Sequence, residues 1–173
     1  MRIVAGEFKG RRLRMPTGAP TRPTADRVRE ALFSMLGDVS GARVLDLYAG
    51  SGALGIEALS RGAASAVFVE RDQRAVAAIR ANLDAVGASA ELRRQDALAF
   101  LARADGPFDL VFCDPPYDCG PRIAGPLAER LSAVLSEGAR IVTESDKRRP
   151  LELPFPLLRE RTYGDTRIAI HGR

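Results

Sequence analysis

Two periods of apolar residues organise this chain. Short apolar runs at Val44 to Tyr48, Ala66 to Val69, Phe108 to Cys113 and Arg140 to Thr143 have the length of buried strands, and Glu91 to Arg93 is a weaker run of the same kind. Between the runs, apolar residues recur every three or four positions. Ala75, Val76, Ile79, Leu83 and Val86 stripe a helix over Asp72 to Val86, and Ile123, Leu127, Leu131 and Val134 stripe another over Arg122 to Leu135, with Gly138 as its stop. Shorter helices are predicted at Ala53 to Arg61, closed by Gly62, and at Ala97 to Arg103. Upstream, Thr24 offers an N-cap to a helix with the stripe Val28, Ala31, Leu32, Met35 and Leu36. Residues 2 to 14 form two short runs around Gly6 and Gly10, the pattern of a small hairpin, and Pro16 to Pro23 reads as a linker. At the other end, Leu157 to Tyr163 and Arg167 to Ile170 flank the turn Gly164-Asp165-Thr166 and predict an antiparallel pair at a sheet edge. The succession of strand and helix predicts an α/β fold. Its sheet is doubly wound, mostly parallel and seven-stranded, with an antiparallel C-terminal strand and an N-terminal β-hairpin extension.

The 173 residues fit one compact domain, with residues 1–23 expected as a basic hairpin and linker and residues 24–173 as the catalytic body. No apolar run approaches the roughly 20 residues of a spanning helix, and Met1 to Gly10 lacks the apolar centre of a secretory signal. The expectation is a soluble cytoplasmic protein with no membrane partner. Two cysteines, Cys113 and Cys119, and a single histidine, His171, provide neither a disulfide framework nor a zinc cluster, so no metal is expected. The formal net charge of +4 is concentrated: residues 1–30 hold eight Arg/Lys against three acids, and the rest hold 18 against 19. Clustered cations release counterions when they meet phosphates, so Arg2, Lys9, Arg11 and Arg12 are candidates to contact RNA. Charge alone does not separate that role from a solvated basic tail.

In a doubly wound sheet, ligands sit beyond the carboxyl ends of the parallel strands, so the residues just after each apolar run carry the information. After the first run, Asp46-Leu47-Tyr48-Ala49-Gly50-Ser51-Gly52-Ala53-Leu54-Gly55 contains the spacing G-x-G-x-x-G, with Tyr48, Gly50, Ser51 and Gly52 as candidate cofactor contacts. After the second stand Glu70, placed to accept hydrogen bonds from ribose hydroxyls, and Arg71. After the third, Asp96 and Ala97 could meet an adenine amino group, a role compatible with helix capping by Asp96. An anion at Asp46 would oppose a pyrophosphate and suits the sulfonium or ammonium of S-adenosylmethionine, which disfavours a nicotinamide dinucleotide. The structural alternative is that Asp46 merely caps the glycine loop. After the fourth run, Asp114-Pro115-Pro116-Tyr117 forms a stiff loop. It aims two acceptors, the Asp114 carboxylate and the Pro115 carbonyl, at one point, and Tyr117 adds a ring on which a nucleobase can stack.

These residues resemble the Rossmann-like class I S-adenosylmethionine-dependent methyltransferases, in particular those with an Asp-Pro-Pro-Tyr motif that act on exocyclic amines. More closely, the chain resembles the RsmD family, which methylates N2 of one guanine in 16S ribosomal RNA. The likeness runs through Arg2 to Gly6, Gly10 to Leu13, Thr21 to Glu30, Asp46 to Gly62, Asp114 to Tyr117 and Tyr163 to Thr166. It implies that Asp46, Gly50, Glu70 and Asp96 line the S-adenosylmethionine site and that Asp114 to Tyr117 hold the guanine amine. It also implies that Arg22, Thr24 and Arg27 lie near the substrate, 16S rRNA within a 30S subunit or its assembly intermediate, and a monomer is expected. Two alternatives stay open. One is an adenine-N6 DNA methyltransferase, disfavoured because no stretch is expected to remain for a target-recognition domain. The other is a catalytically silent RNA-binding assembly factor.

Overall fold

A computed structural model describes residues 1–17, 26–116 and 120–173. Seven strands form one sheet in the order β3-β2-β1-β4-β5-β7-β6. They are β1 (Arg43–Leu47), β2 (Ser65–Glu70), β3 (Glu91–Arg94), β4 (Phe108–Cys113), β5 (Leu135–Asp146), β6 (Leu157–Tyr163) and β7 (Thr166–Gly172). The first five are mutually parallel, and β7 runs antiparallel between β5 and β6. Strand order reverses between β1 and β4, the point at which a crevice opens at the carboxyl edge.

The helices are α1 (Asp26–Leu36), α2 (Ala53–Ser60), α3 (Gln73–Val86), α4 (Ala97–Leu101) and α5 (Gly120–Val134). Alternation along the central strands divides the core. Val44, Leu110, Phe112, Val142 and Ile168 pack with Leu32, Phe33, Ile56 and Ile79 from α1, α2 and α3. On the opposite face Leu45, Leu47, Val111, Cys113 and Ile141 pack with Phe100, Leu127 and Leu131 from α4 and α5. Covering both faces is what makes the central strands read as unbroken apolar runs.

Three expectations are corrected. Tyr48 is not the last residue of β1; it leaves the strand with φ 59 and starts the turn. Gly138 does not stop a helix, because α5 already ends at Val134 and Gly138 lies within β5 at φ 72. The register against β4 shifts there, between the pairs Phe108 with Leu135 and Leu110 with Arg140. The N-terminal hairpin is reduced to one antiparallel bridge, Arg2 with Arg12, supported by backbone bonds such as Ile3 N to Arg11 O at 3.0 Å.

That segment is docked on the body. Ile3, Phe8 and Leu13 enter the core. Glu57 of α2, fully buried, accepts from Val4 N at 2.8 Å, Ala5 N at 3.0 Å and Arg61 Nε at 2.9 Å, with Arg29 Nε at 3.5 Å. Ser60 Oγ donates to Ala5 O and accepts from Phe8 N. The approach is so close that a Cβ on Gly6, at φ 83, would stand 1.7 Å from Ser60 O. Arg29, counted by sequence among the basic charges of the N-terminal region, is buried and tied to Arg2 O and Asp26.

Candidate active site

Strand register assembles the site. Leu47 pairs with both Val69 of β2 and Cys113 of β4, and Cys113 pairs with Thr143 of β5. The residues that follow, Tyr48, Glu70, Asp114 and Glu144, therefore line up along one edge, with Glu70 and Glu144 still within their strands. Glu70 in turn pairs with Arg94, which brings Gln95 and Asp96 to the same edge.

The loop between β1 and α2 is held from several sides. Ala49 N donates to Val69 O at 3.2 Å, and Gly52 N closes a turn onto Ala49 O at 2.7 Å. Glu70 Oε2 accepts from Gly50 N at 2.9 Å, while its Oε1 accepts from Arg71 N at 2.8 Å and Asp72 N at 2.9 Å. A carboxylate has about four acceptor positions, so Glu70 keeps capacity for a hydroxyl after fixing the loop. Ser51 is buried, and its carbonyl accepts from Asn82 Nδ2 at 2.9 Å. Gly52 begins α2 in the left-handed region without a side-chain cap. Gly55 lets α2 lie on β2, since a Cβ there would stand 2.4 Å from Phe68 Cε1.

Asp46 points under this helix. Its Oδ2 accepts from Gly55 N at 2.9 Å in a buried setting. Burial pushes the carboxyl up to about 8, the Glu70 charge adds to the rise, and the Gly55 N–H opposes it. Asp96 caps α4 by accepting from Ala99 N at 3.0 Å and is exposed, while Ala97 behind it is buried.

Asp114 is partly buried, Pro115 buried and Pro116 exposed. Burial, and then the charges of Glu144 and Asp46, hold the Asp114 carboxyl well above the usual carboxylate range. A narrow cleft beside it is lined by Leu32, Leu54, Cys113, Asp114, Val142, Glu144 and Ile168. Sequence reasoning missed Glu144. Its signal was an acid directly continuing the run Ile141-Val142-Thr143 into a strand that proved longer than expected. An edge bearing Asp46, Asp114 and Glu144 favours ligands that carry positive charge or N–H donors. Such a set of acceptors fits S-adenosylmethionine, with its sulfonium, ammonium and ribose hydroxyls, and opposes a pyrophosphate.

Tyr117, Arg22 and Thr24 lie outside the described residues. Arg2, Lys9, Arg11, Arg12 and Arg27 are exposed on the segment and on α1. Arg11 Nη1 donates to Ala85 O of α3 at 2.8 Å.

The family model described as Conserved hypothetical protein 95 matches residues 1–172. Ribosomal RNA small subunit methyltransferase D of Haemophilus influenzae is 38% identical over 178 residues, covering 95% of this chain and 89% of the relative. The chain belongs to the RsmD family of methyltransferases. Among solved structures, the Escherichia coli protein yhhF matches this RsmD-family chain at TM-score 0.88 and 37% identity, covering 100% of this chain and 97% of the other. The 16S rRNA N2 methyltransferase RsmC of Thermus thermophilus, solved with AdoMet and guanosine, shares the fold at TM-score 0.77 and 24% identity, covering 100% of this chain and 49% of that one. Among the described residues, no helix is long and apolar enough to cross a membrane, and no group of His, Cys, Asp and Glu is arranged to hold a metal ion.

Proposed function

We propose that this protein uses S-adenosylmethionine to methylate the exocyclic N2 of a guanine in 16S rRNA. Residues 24–173 act as the catalytic body and residues 1–23 as an RNA-contacting part. The observation that carries this reading is the pairing of Leu47 with Cys113, which sets the glycine loop and Asp114-Pro115-Pro116 side by side at the switch point. Relatives named as small-subunit rRNA methyltransferases supply the substrate class.

When bound, S-adenosylmethionine supplies a methyl group on a sulfonium, an electrophile that needs no metal. Tyr48, Gly50, Ser51 and Gly52 would form its floor, Glu70 and Arg71 would meet the ribose, and Asp96 and Ala97 the adenine. Asp46 would lie beneath and, once ionised, add negative potential. The Asp114 carboxylate and the Pro115 carbonyl would accept the two N–H groups of the amine and fix its plane. An aryl amine is a weak nucleophile because its lone pair is delocalised, so acceptors that hold it out of conjugation and in line provide much of the acceleration. The proton released on methylation can pass to the Asp114 carboxylate. Tyr117 would stack on the base, and Arg22, Thr24 and Arg27 would lie near the RNA, with Arg2, Lys9, Arg11 and Arg12 on its phosphates.

Tritiated methyl transfer to undermethylated 30S particles, free 16S rRNA and duplex DNA tests the reading. Label recovered as N2-methylguanine in small-subunit RNA is expected. Label in adenine of DNA, or no transfer to any of the three, would overturn it.

A further inference from the structure

Asn82 is a polar residue in the apolar stripe of α3, between Ile79 and Val86, and it is 0% exposed. Helix packing needs no amide there; a leucine would satisfy burial. Its two ends reach elements that are distant in sequence. Oδ1 accepts from Arg14 N at 2.7 Å, and Nδ2 donates to Arg14 O at 3.0 Å and to Ser51 O at 2.9 Å. The pair of bonds to Arg14 involves only main chain, so it clamps the backbone there whatever side chain residue 14 carries. Arg14 follows Leu13, whose N–H closes the N-terminal segment on Met1 O at 3.0 Å. Ser51 lies in the turn closed by Gly52 N on Ala49 O. Glu70 restrains this loop from the sheet, and Asn82 restrains it from α3.

We propose that Asn82 is a positioning residue that joins the basic N-terminal segment to the glycine-rich loop, so that RNA held on the segment tightens the loop's grip on S-adenosylmethionine, and the cofactor in turn tightens RNA binding. The inference rests on the functional reading above. The physical basis is that one buried amide cannot release either neighbour without leaving a polar group unpaired and desolvated. The docked segment and the closed loop therefore favour one another. RNA that binds the exposed Lys9, Arg11 and Arg12 selects the docked segment and, through Arg14 and Asn82, the closed loop. Coupling of this kind is reciprocal by thermodynamic necessity.

The test measures binding of tritiated S-adenosylhomocysteine, which cannot react, in the presence and absence of undermethylated 30S particles. The wild type is expected to bind it about fivefold to tenfold more tightly with particles than without, within the usual range of coupling. Asn82→Ala should bring this ratio close to one. A purely structural role would lower the melting temperature and the basal affinity but leave the ratio unchanged. Arg14→Pro removes the N–H that Asn82 accepts and should also abolish the coupling, whereas Arg14→Ala removes the charge, keeps both backbone bonds and should retain it. If Asn82→Ala does not fold, this pair decides alone. An unchanged ratio in Asn82→Ala or Arg14→Pro overturns the proposal. So does a wild-type ratio of one when methyl transfer to 30S particles proceeds normally. Absence of methyl transfer by the wild type marks failure of the functional reading instead, and the proposal falls with it.

Discussion

Replacing Asp46 by Asn separates what this carboxyl does for folding from what it does for the cofactor. The group is 3% exposed and accepts one hydrogen bond, from Gly55 N, while burial pushes it up to about 8. Between the ordinary carboxylate range and about pH 8, the folded chain therefore holds a proton that the unfolded chain has released. Stability falls as pH rises across that interval and levels off above about 8, where both states are ionised. Keeping the acid neutral costs roughly 1.4 kcal/mol for each pH unit above the unfolded value, about 4 kcal/mol at neutral pH before relaxation and water entry reduce it. An amide avoids this cost, and its Oδ1 can still accept from Gly55 N. Asp46→Asn should thus gain about 2 to 4 kcal/mol at pH 7 in urea unfolding, with the gain shrinking toward pH 4. Equal pH slopes for the two proteins between pH 5 and 8, or a less stable variant at pH 7, would refute the reasoning. Above about pH 8, where the carboxyl is ionised, the same change removes the negative charge offered to the cofactor. S-adenosylmethionine affinity should fall roughly tenfold, or about 1.4 kcal/mol, while S-adenosylhomocysteine, which lacks the sulfonium, loses little. Equal losses for the two ligands would exclude a charge role.

Asp114→Ala should lower single-turnover methyl transfer by about 10² to 10³ while S-adenosylhomocysteine affinity stays within a few-fold; near-normal transfer would remove Asp114 from the reaction. Gly6→Ala, with its Cβ forced to within 1.7 Å of Ser60 O, should cost about 2 to 4 kcal/mol in denaturant unfolding, and an unchanged midpoint would contradict the docked segment. Glu57→Gln removes one of the two anionic partners of the buried Arg29, leaving Asp26, and should cost about 1 to 3 kcal/mol by the same assay. Replacing Lys9, Arg11 and Arg12 together by Gln should flatten the salt dependence of RNA binding by about 0.7 to 0.9 in log slope for each phosphate no longer neutralised, with the melting temperature lowered only by loss of the exposed Arg11 bond to Ala85 O. A slope equal to that of the wild type would place the RNA elsewhere. Deletion of residues 1–14 would not isolate this effect, because it also strips Ile3, Phe8 and Leu13 from the core.

The parts of this molecule legible in its sequence are those in which one residue type answers to one local demand. Central strands buried on both faces show as apolar runs, and the turn residues Gly50 and Gly52 announce the loop at the switch point. What escaped are interactions between elements distant in the chain. Arg29 reads as one more cation of a basic stretch until Glu57, which lies on a different helix, is seen to bury it. Each of the two acids and the amide missed by periodicity was nevertheless an exception to its own pattern. Glu57 is the one charge in Ala53-Leu54-Gly55-Ile56-Glu57-Ala58-Leu59-Ser60, Asn82 occupies an apolar stripe, and Glu144 extends a strand interior. A polar group at a core position must find a partner or a neutral form, because leaving it unpaired costs more than the helix or strand gains from it. Such exceptions therefore mark where tertiary interactions will form. In this chain two of them, Glu57 and Asn82, bind the N-terminal segment to the body, and the third lies beside Asp114 at the cleft. The sequence thus encodes the dock for the segment twice, once in its own apolar residues Ile3, Phe8 and Leu13 and once in misplaced polar residues of the helices beneath it.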